Sequence, residues 1–303
     1  MKSTLQKLQK LKQEKDAIIL AHYYQSEEIQ ELADHVGDSY YLSKIGKEAK
    51  EERIVLCGVR FMAESAKILS PQKTVLLANR DAGCPMADMA DINQINKLKN
   101  QHPDAAVVCY INTPVEVKAV SDVCVTSSNA YKIVEQLPQR KIIFLPDQNL
   151  AAYVASLCPD KEIIPYSGFC IVHHQMMAEE VLELKEKHPK ALVLSHPENR
   201  KEVLDISDYV GSTLGIIQYA HASSEKEFII ITEEGIRYQL KKQNPDKSFY
   251  FSNKPSMICR NMKKTTIENV LETLETDENQ IVIDEDIRLR ALRCLERMHT
   301  EIE

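Results

Sequence analysis

The chain is poor in glycine. Its 303 residues include only 8, and neither GxGxxG nor GxxxxGK[ST] occurs, so nucleotide binding through either phosphate loop is not expected. Closely spaced cysteines are also missing. Among eight cysteines there is no CxxC and no CxxxCxxC, which argues against a zinc ribbon and against a radical enzyme with three adjacent thiols. There is no basic surplus. A formal net charge of −7 and a pI near 5.8 argue against a general binder of nucleic acid or of membrane surfaces. No apolar run approaches membrane-spanning length. The opening MKSTLQKLQKLKQEKDA is polar and helical in period, unlike a signal peptide or an anchor. With 44% hydrophobic and 27% charged residues, a soluble globular protein of the cytoplasm is expected. Its thiols should be free or metal-binding, not disulfide-bonded.

What is present is a threefold internal repeat. Three polar triplets, His22-Tyr23-Tyr24, Tyr110-Ile111-Asn112 and His196-Pro197-Glu198, each follow a short apolar run. Twelve residues after the first member of each triplet stand Asp34, Asp122 and Asp208, and after seventeen come Ser39, Ser127 and Thr213. A second apolar run begins 32 residues on, at Ile54, Ile142 and Phe228. Cysteines Cys84, Cys170 and Cys259 close the copies at 62, 60 and 63 residues from the same origins.

Each copy reads as helix, strand, helix, strand, helix, strand, cysteine. Opening strands are expected at 17–21, 105–109 and 191–194, second strands at 54–57, 142–145 and 228–232, and third strands at 75–78, 162–165 and 248–251. Continuous apolar runs suit strands buried on both faces of a parallel sheet, and strands alternating with helices imply βαβ units. The fold class is therefore α/β. Three repeated αβα, Rossmann-like units with parallel sheets are expected in a pseudo-threefold triangle around a central active site. Residues 1–84 would form the first unit, completed by 260–303 as a further helix and strand (281–283) plus a last helix. Residues 85–170 would form the second unit and 171–259 the third. Ligands bind beyond the carboxyl ends of such strands, so the triplets, the 34–39 segment with its equivalents, and the three cysteines should line one cavity.

The chemistry follows from the residue types. Cys57, Cys109, Cys124, Cys158 and Cys294 read as small buried hydrophobes. Cys84, Cys170 and Cys259, repeated and each ahead of a helical pattern, read as ligands of one shared metal site, with the helix start favouring the thiolate. Three thiolates would leave one iron of a 4Fe–4S cluster open as a Lewis acid. With His173 added, they would instead make a closed zinc site of three cysteines and one histidine. His22, Tyr24, Tyr110, Asn112, His196 and Glu198 supply acids, bases and hydrogen-bond donors. Hydroxyls at Ser39, Ser127 and Ser212–Thr213 read either as helix caps or as anion-holding groups at helix starts. His102 and His188, each in a His-Pro turn, read as structural.

The motifs resemble those of the quinolinate synthases, iron–sulfur enzymes of NAD biosynthesis. They include AIILAHYYQ (17–25), VGDS (36–39), GVRFMAE (58–64), CPMA (84–87), YINTPVEVKA (110–119) and CVTSSNA (124–130), followed by PDQNL (146–150), CIVHHQ (170–175), HPE (196–198), DYVGST (208–213) and CRNMKKTT (259–266). The resemblance implies a transferase that condenses iminoaspartate with dihydroxyacetone phosphate to quinolinate, phosphate and two waters. It implies one 4Fe–4S cluster per chain on Cys84, Cys170 and Cys259. Proton transfers would fall to Tyr24, His22, His196 and Glu198. Substrate would be held by Ser39, Tyr110, Asn112, Ser127, His173, Ser212 and Thr213, with His22, His196 and Glu198, and Met262 would line the cavity. An aspartate oxidase or aspartate dehydrogenase is the implied functional partner, with neither nucleic acid nor membrane. The cysteine-rich extension of longer members is lacking, so no redox switch of that kind is expected. Two other readings stand beside this one. The first is a non-catalytic iron–sulfur or zinc sensor, and the second is a metal-free binder of small anions.

Overall fold

The recurring aspartates explain how each unit is stitched together. In the computed structural model, which describes residues 2–253 and 255–300, the Asp34 carboxylate accepts the Ile19 N–H at 2.8 Å while the Asp34 N–H donates to the Ile19 carbonyl at 2.9 Å. Asp122 makes the same reciprocal pair with Val107, and Asp208 with Val193. Each aspartate thus clamps the chain re-entering the sheet onto the first strand. All three are exposed, so they do not line the cavity as the sequence suggested. The repeat preserved them for backbone geometry.

Three four-stranded parallel sheets result. The first contains β1 (Ala17–His22), β2 (His35–Gly37), β3 (Arg53–Cys57) and β4 (Thr74–Leu77), in the order β2-β1-β3-β4. The second has β5 (Ala106–Tyr110), β6 (Val123–Val125), β7 (Lys141–Leu145) and β8 (Glu162–Pro165), and the third β9 (Leu192–Ser195), β10 (Tyr209–Val210), β11 (Glu227–Ile231) and β12 (Ser248–Phe251). Both repeat the order of the first, giving β6-β5-β7-β8 and β10-β9-β11-β12. The nine expected strands are present to within a residue or two at each end. The edge strands β2, β6 and β10 were not expected, because two or three residues are too few to show a period. Central strands are apolar throughout and buried, as in Ile54, Val55, Leu56 and Cys57, because helices cover both faces.

The carboxyl-terminal segment departs from the expected pattern. Helix Ile267–Thr276 forms, started by a reciprocal capping box between Thr266 and Asn269. The expected strand at 281–283 does not form. Gln280 makes a single antiparallel bridge to Leu76, with the Ile281 N–H donating to the Val75 carbonyl. Helix Glu285–Thr300 then lies against helix Arg60–Leu69 of the first unit and against helix Val115–Lys118 and β6 of the second. Arg288 donates to the Ile68 carbonyl and Arg297 to the Asp122 carbonyl, so this last helix ties the two units together.

Candidate active site

The carboxyl ends of the strands bring all three units to one cavity. Its lining includes His22, Tyr24 and Ser39 from the first unit, Tyr110, Asn112 and Ser127 from the second, and His173, His196, Glu198 and Thr213 from the third. Cys84, Cys170, Cys259 and Met262 line it as well. Of the residues expected to transfer protons, hold substrate or ligate metal, only Ser212 is absent. Its hydroxyl caps helix Thr213–Ala222 by accepting the Gly215 N–H at 3.1 Å. Asp38 caps helix Ser39–Glu48 in the same way, accepting the Tyr41 N–H at 2.9 Å. The cap therefore sits one residue before Ser39 and Thr213, and those two hydroxyls face the cavity at the first helical position.

The acid–base groups are tightly ordered. Glu198 Oε2 lies 2.7 Å from His173 Nδ1 and 3.6 Å from His196 Nδ1. The His173 and His196 rings stack with centroids 4.6 Å apart, and His196 Nε2 reaches the Ser127 hydroxyl at 3.2 Å. The Tyr24 hydroxyl is 2.8 Å from Thr213 Oγ1. Nδ1 of His22 accepts the Tyr24 N–H at 3.1 Å, so a neutral His22 carries its proton on Nε2. The histidine doublet is resolved by packing. His173 is buried in the cavity, whereas His174 packs at a tilt against Phe169 and bonds Asn149 outside it.

Burial sets the protonation states. It lowers His22 and His196 to about 3, helped by Lys263 at His22 and opposed by Glu198 at His196, so both imidazoles are neutral at physiological pH. Burial also raises the Tyr24 and Tyr110 phenols well above their usual value, with the Glu198 charge adding to it. Glu198 goes the other way. Burial opposes its charge, but His196 and hydrogen bonds from His173 and Tyr110 hold it down at about 2. The site thus holds one buried carboxylate with two neutral imidazoles, His22 and His196, and two protonated phenols.

The cysteines differ from expectation in one respect. Each is followed by a single helical turn, Pro85–Asp88, His173–Gln175 or Met262–Lys264, and the longer helices begin later, at Ile92, Ala178 and Ile267. One turn carries little dipole. Burial prevails and pushes the Cys84 thiol up to about 12, with Cys170 and Cys259 also raised. Each sulfur nevertheless meets backbone N–H groups: those of Met86 and Ala87 at Cys84, of His173 at Cys170, and of Asn261 and Met262 at Cys259. Among the described residues, the one group of ligand-type atoms lying within 4.8 Å of one another is Cys170, His173 and Glu198. The three cysteine sulfurs do not form so tight a group.

Comparison with known proteins decides the family. Residues 6–300 match the model of the quinolinate synthetase A protein family. A quinolinate synthase of Clostridium perfringens (strain SM101) is 57% identical over 293 residues, 97% of each chain. One from Clostridioides difficile (strain 630) is 56% identical over 292 residues, 96% of each, and one from Alkaliphilus metalliredigens is 52% identical over 294 residues, 97% of each. The chain belongs to the quinolinate synthetase A family.

Several residues that shape this family member's cavity were not singled out from its sequence. Buried Gln30 and Lys118 both stand eight residues after the first triplet member. Gln30 donates to the Tyr23 and Gln25 carbonyls, and Lys118 to those of Ile111 and Thr113. Both therefore fix the loop carrying the triplet. The shared position was visible, but the change from Gln to Lys hid it. Asp147 and Glu233, also at one repeat position, accept the N–H groups of Cys170 and Cys259 at 2.9 and 3.0 Å. The first unit has Val59 there, so Cys84 lacks this support. Gly235 is required where a third-unit loop crosses the first, because a Cβ would come within 2.7 Å of Tyr24 Cα.

Proposed function

We propose that this chain is a quinolinate synthase, condensing iminoaspartate with dihydroxyacetone phosphate to quinolinate with release of phosphate and two waters. The observation that carries this reading is the buried Glu198–His173–His196 cluster, with the protonated Tyr110 bonded to it and Tyr24 close by, in a cavity walled by three cysteines. The reaction needs proton removal and proton delivery within one closed site, and these groups offer both.

The cavity fits a 4Fe–4S cluster on Cys84, Cys170 and Cys259. Sulfurs bound to a single zinc, at about 2.3 Å each, would lie roughly 3.8 Å apart. The three here are not so tightly gathered, which suits a larger group. Backbone N–H groups at each sulfur favour thiolate ligation. Such a cluster would supply a Lewis-acidic iron for loss of a poor leaving group. The closed zinc site with His173 is disfavoured because both ring nitrogens of His173 are engaged, by Glu198 and by Thr232.

The protein's own groups divide the work. Glu198 removes protons, with His173 and His196 holding its carboxylate in place. Tyr24 donates a proton from its phenol. His22 offers an Nε2–H to a substrate oxygen. Ser39 and Thr213, at the amino termini of ten-residue helices, hold carboxylate and phosphate oxygens together with Ser127, Asn112 and Tyr110. In a chain of net charge −7, such local dipoles do what a basic field would otherwise do. Iminoaspartate would arrive from an aspartate oxidase or aspartate dehydrogenase. The test is quinolinate formation by anaerobically purified protein supplied with iminoaspartate and dihydroxyacetone phosphate. Metal-replete protein that makes none would end this reading.

A further inference from the structure

The functional reading gives no role to the buried hydroxyl of Thr232. Thr232 follows the carboxyl end of β11, is completely buried, and does not itself line the cavity. Its Oγ1 lies 2.9 Å from His173 Nε2 and 3.1 Å from the Tyr24 hydroxyl. It is thus a hydrogen-bonded link between Tyr24 and the His173–Glu198 pair. The equivalent residues in the other two units are Gly58 and Pro146, neither of which has a side chain that can hydrogen-bond. The link belongs to the third unit alone and not to the repeated scaffold.

We infer that Thr232 is a positioning residue that sets the direction in which Tyr24 and His173 present their protons. The polarity follows from the partners. With the ring proton on His173 Nδ1, 2.7 Å from Glu198 Oε2, Nε2 can only accept. Thr232 has a single proton and gives it to Nε2. Its oxygen can then only accept from Tyr24, and the Tyr24 oxygen in turn accepts from Thr213, 2.8 Å away. One chain of four bonds runs from Thr213 to Glu198. Without the Thr232 hydroxyl, His173 Nε2 and the Tyr24 proton both lose a buried partner. The phenol is then free to turn its proton to Thr213, and the imidazole loses the bond that holds its Nε2 edge in place.

This inference rests on the proposed reaction, and the test separates the two. Thr232→Val keeps the shape and removes the hydroxyl, while Thr232→Ser keeps the hydroxyl. Both would be measured as anaerobic holoprotein beside the wild type for quinolinate formation, metal content and melting temperature. The expected result for Thr232→Val is a kcat lowered about ten- to a hundredfold, the range set by loss of buried hydrogen bonds. KM should stay within about twofold, because no substrate contact is removed, and metal content should be unchanged. Thr232→Ser should recover to within about threefold of wild type. Wild-type kcat in Thr232→Val overturns the inference and leaves the reaction standing. So does a Thr232→Ser variant that falls as far, since packing would then be the cause. Should the valine variant fail to fold, Thr232→Ala, which cannot overpack, reads the same loss. Absence of quinolinate from the wild type overturns the reaction itself, and this inference with it.

Discussion

Two trios of cysteines are gathered from distant parts of this chain, and they have little else in common. Cys109 and Cys124 are register partners on β5 and β6, and Cys109 Sγ lies 3.5 Å from Cys294 Sγ on the last helix. All three are fully buried among apolar side chains. Cys84, Cys170 and Cys259 instead stand at the edge of a cavity, each with backbone N–H groups at its sulfur and with His173 and Glu198 beside Cys170. Thiols brought together are therefore not in themselves a site. Amide donors, neighbouring titratable groups and an opening for ligand make the difference, and only the second trio recurs at equivalent positions in the repeat.

Alanine substitution should separate the trios most sharply. Cys170→Ala is expected to abolish metal retention and lower quinolinate turnover at least about a thousandfold, as removal of a group that acts with others as a unit does. Cys294→Ala should leave both intact and cost about 1–2 kcal/mol of stability through the small cavity it creates. Metal analysis, turnover and calorimetry on the two variants would show it. Equal loss of metal in both would erase the distinction.

Glu198→Gln tests whether the cavity trio serves chemistry or structure only. Turnover should fall about a hundred- to a thousandfold, within the range of a lost general base, with metal content unchanged. Retained turnover would take Glu198 out of the mechanism.

A pH series on the metal-free chain sharpens the contrast further. His22 and His196 are lowered to about 3 in the folded protein, so the unfolded chain takes up their protons first. Their contribution is complete above about pH 6.5 and is lost as pH falls toward 3, by up to about 1.4 kcal/mol per pH unit for each histidine. Urea unfolding from pH 6.5 to 4.5 should show this slope. It should flatten in His22→Gln and persist in Cys294→Ala. An unchanged slope in His22→Gln would mean that His22 is not buried as a neutral ring.

The smallest effect distinguishes a cap from a contact. Ser212→Ala should cost about 1 kcal/mol of stability with KM unaltered, since its hydroxyl caps a helix. Ser127→Ala should instead raise KM severalfold at little cost in stability. Reversed results would exchange the two roles.

Much of this was legible in the sequence because the repeat recorded it. Nine strands, the three cavity cysteines and the polar triplets all announced themselves by spacing. Physical causes explain what was not legible. Strands β2, β6 and β10 are too short to carry a pattern. Asp34, Asp122 and Asp208 recur as strongly as the cysteines, yet they serve as backbone clamps, because spacing does not separate scaffold from site. The thiols were expected to be acidified by helix starts, but the turns after them are short and burial prevails. Thr232 breaks the repeat, so no argument from equivalence could reach it. His173 and His174 are chemically identical, and only packing distinguishes them.

The central claim is that the cavity trio holds a cluster and the core trio holds nothing. Its most direct test is iron and acid-labile sulfide per chain, with an absorption spectrum, on anaerobically purified wild type, Cys170→Ala and Cys294→Ala. The account predicts about four irons and four sulfides in wild type and in Cys294→Ala, and none held in Cys170→Ala. Zinc in place of iron, or a full complement of iron in Cys170→Ala, would contradict it.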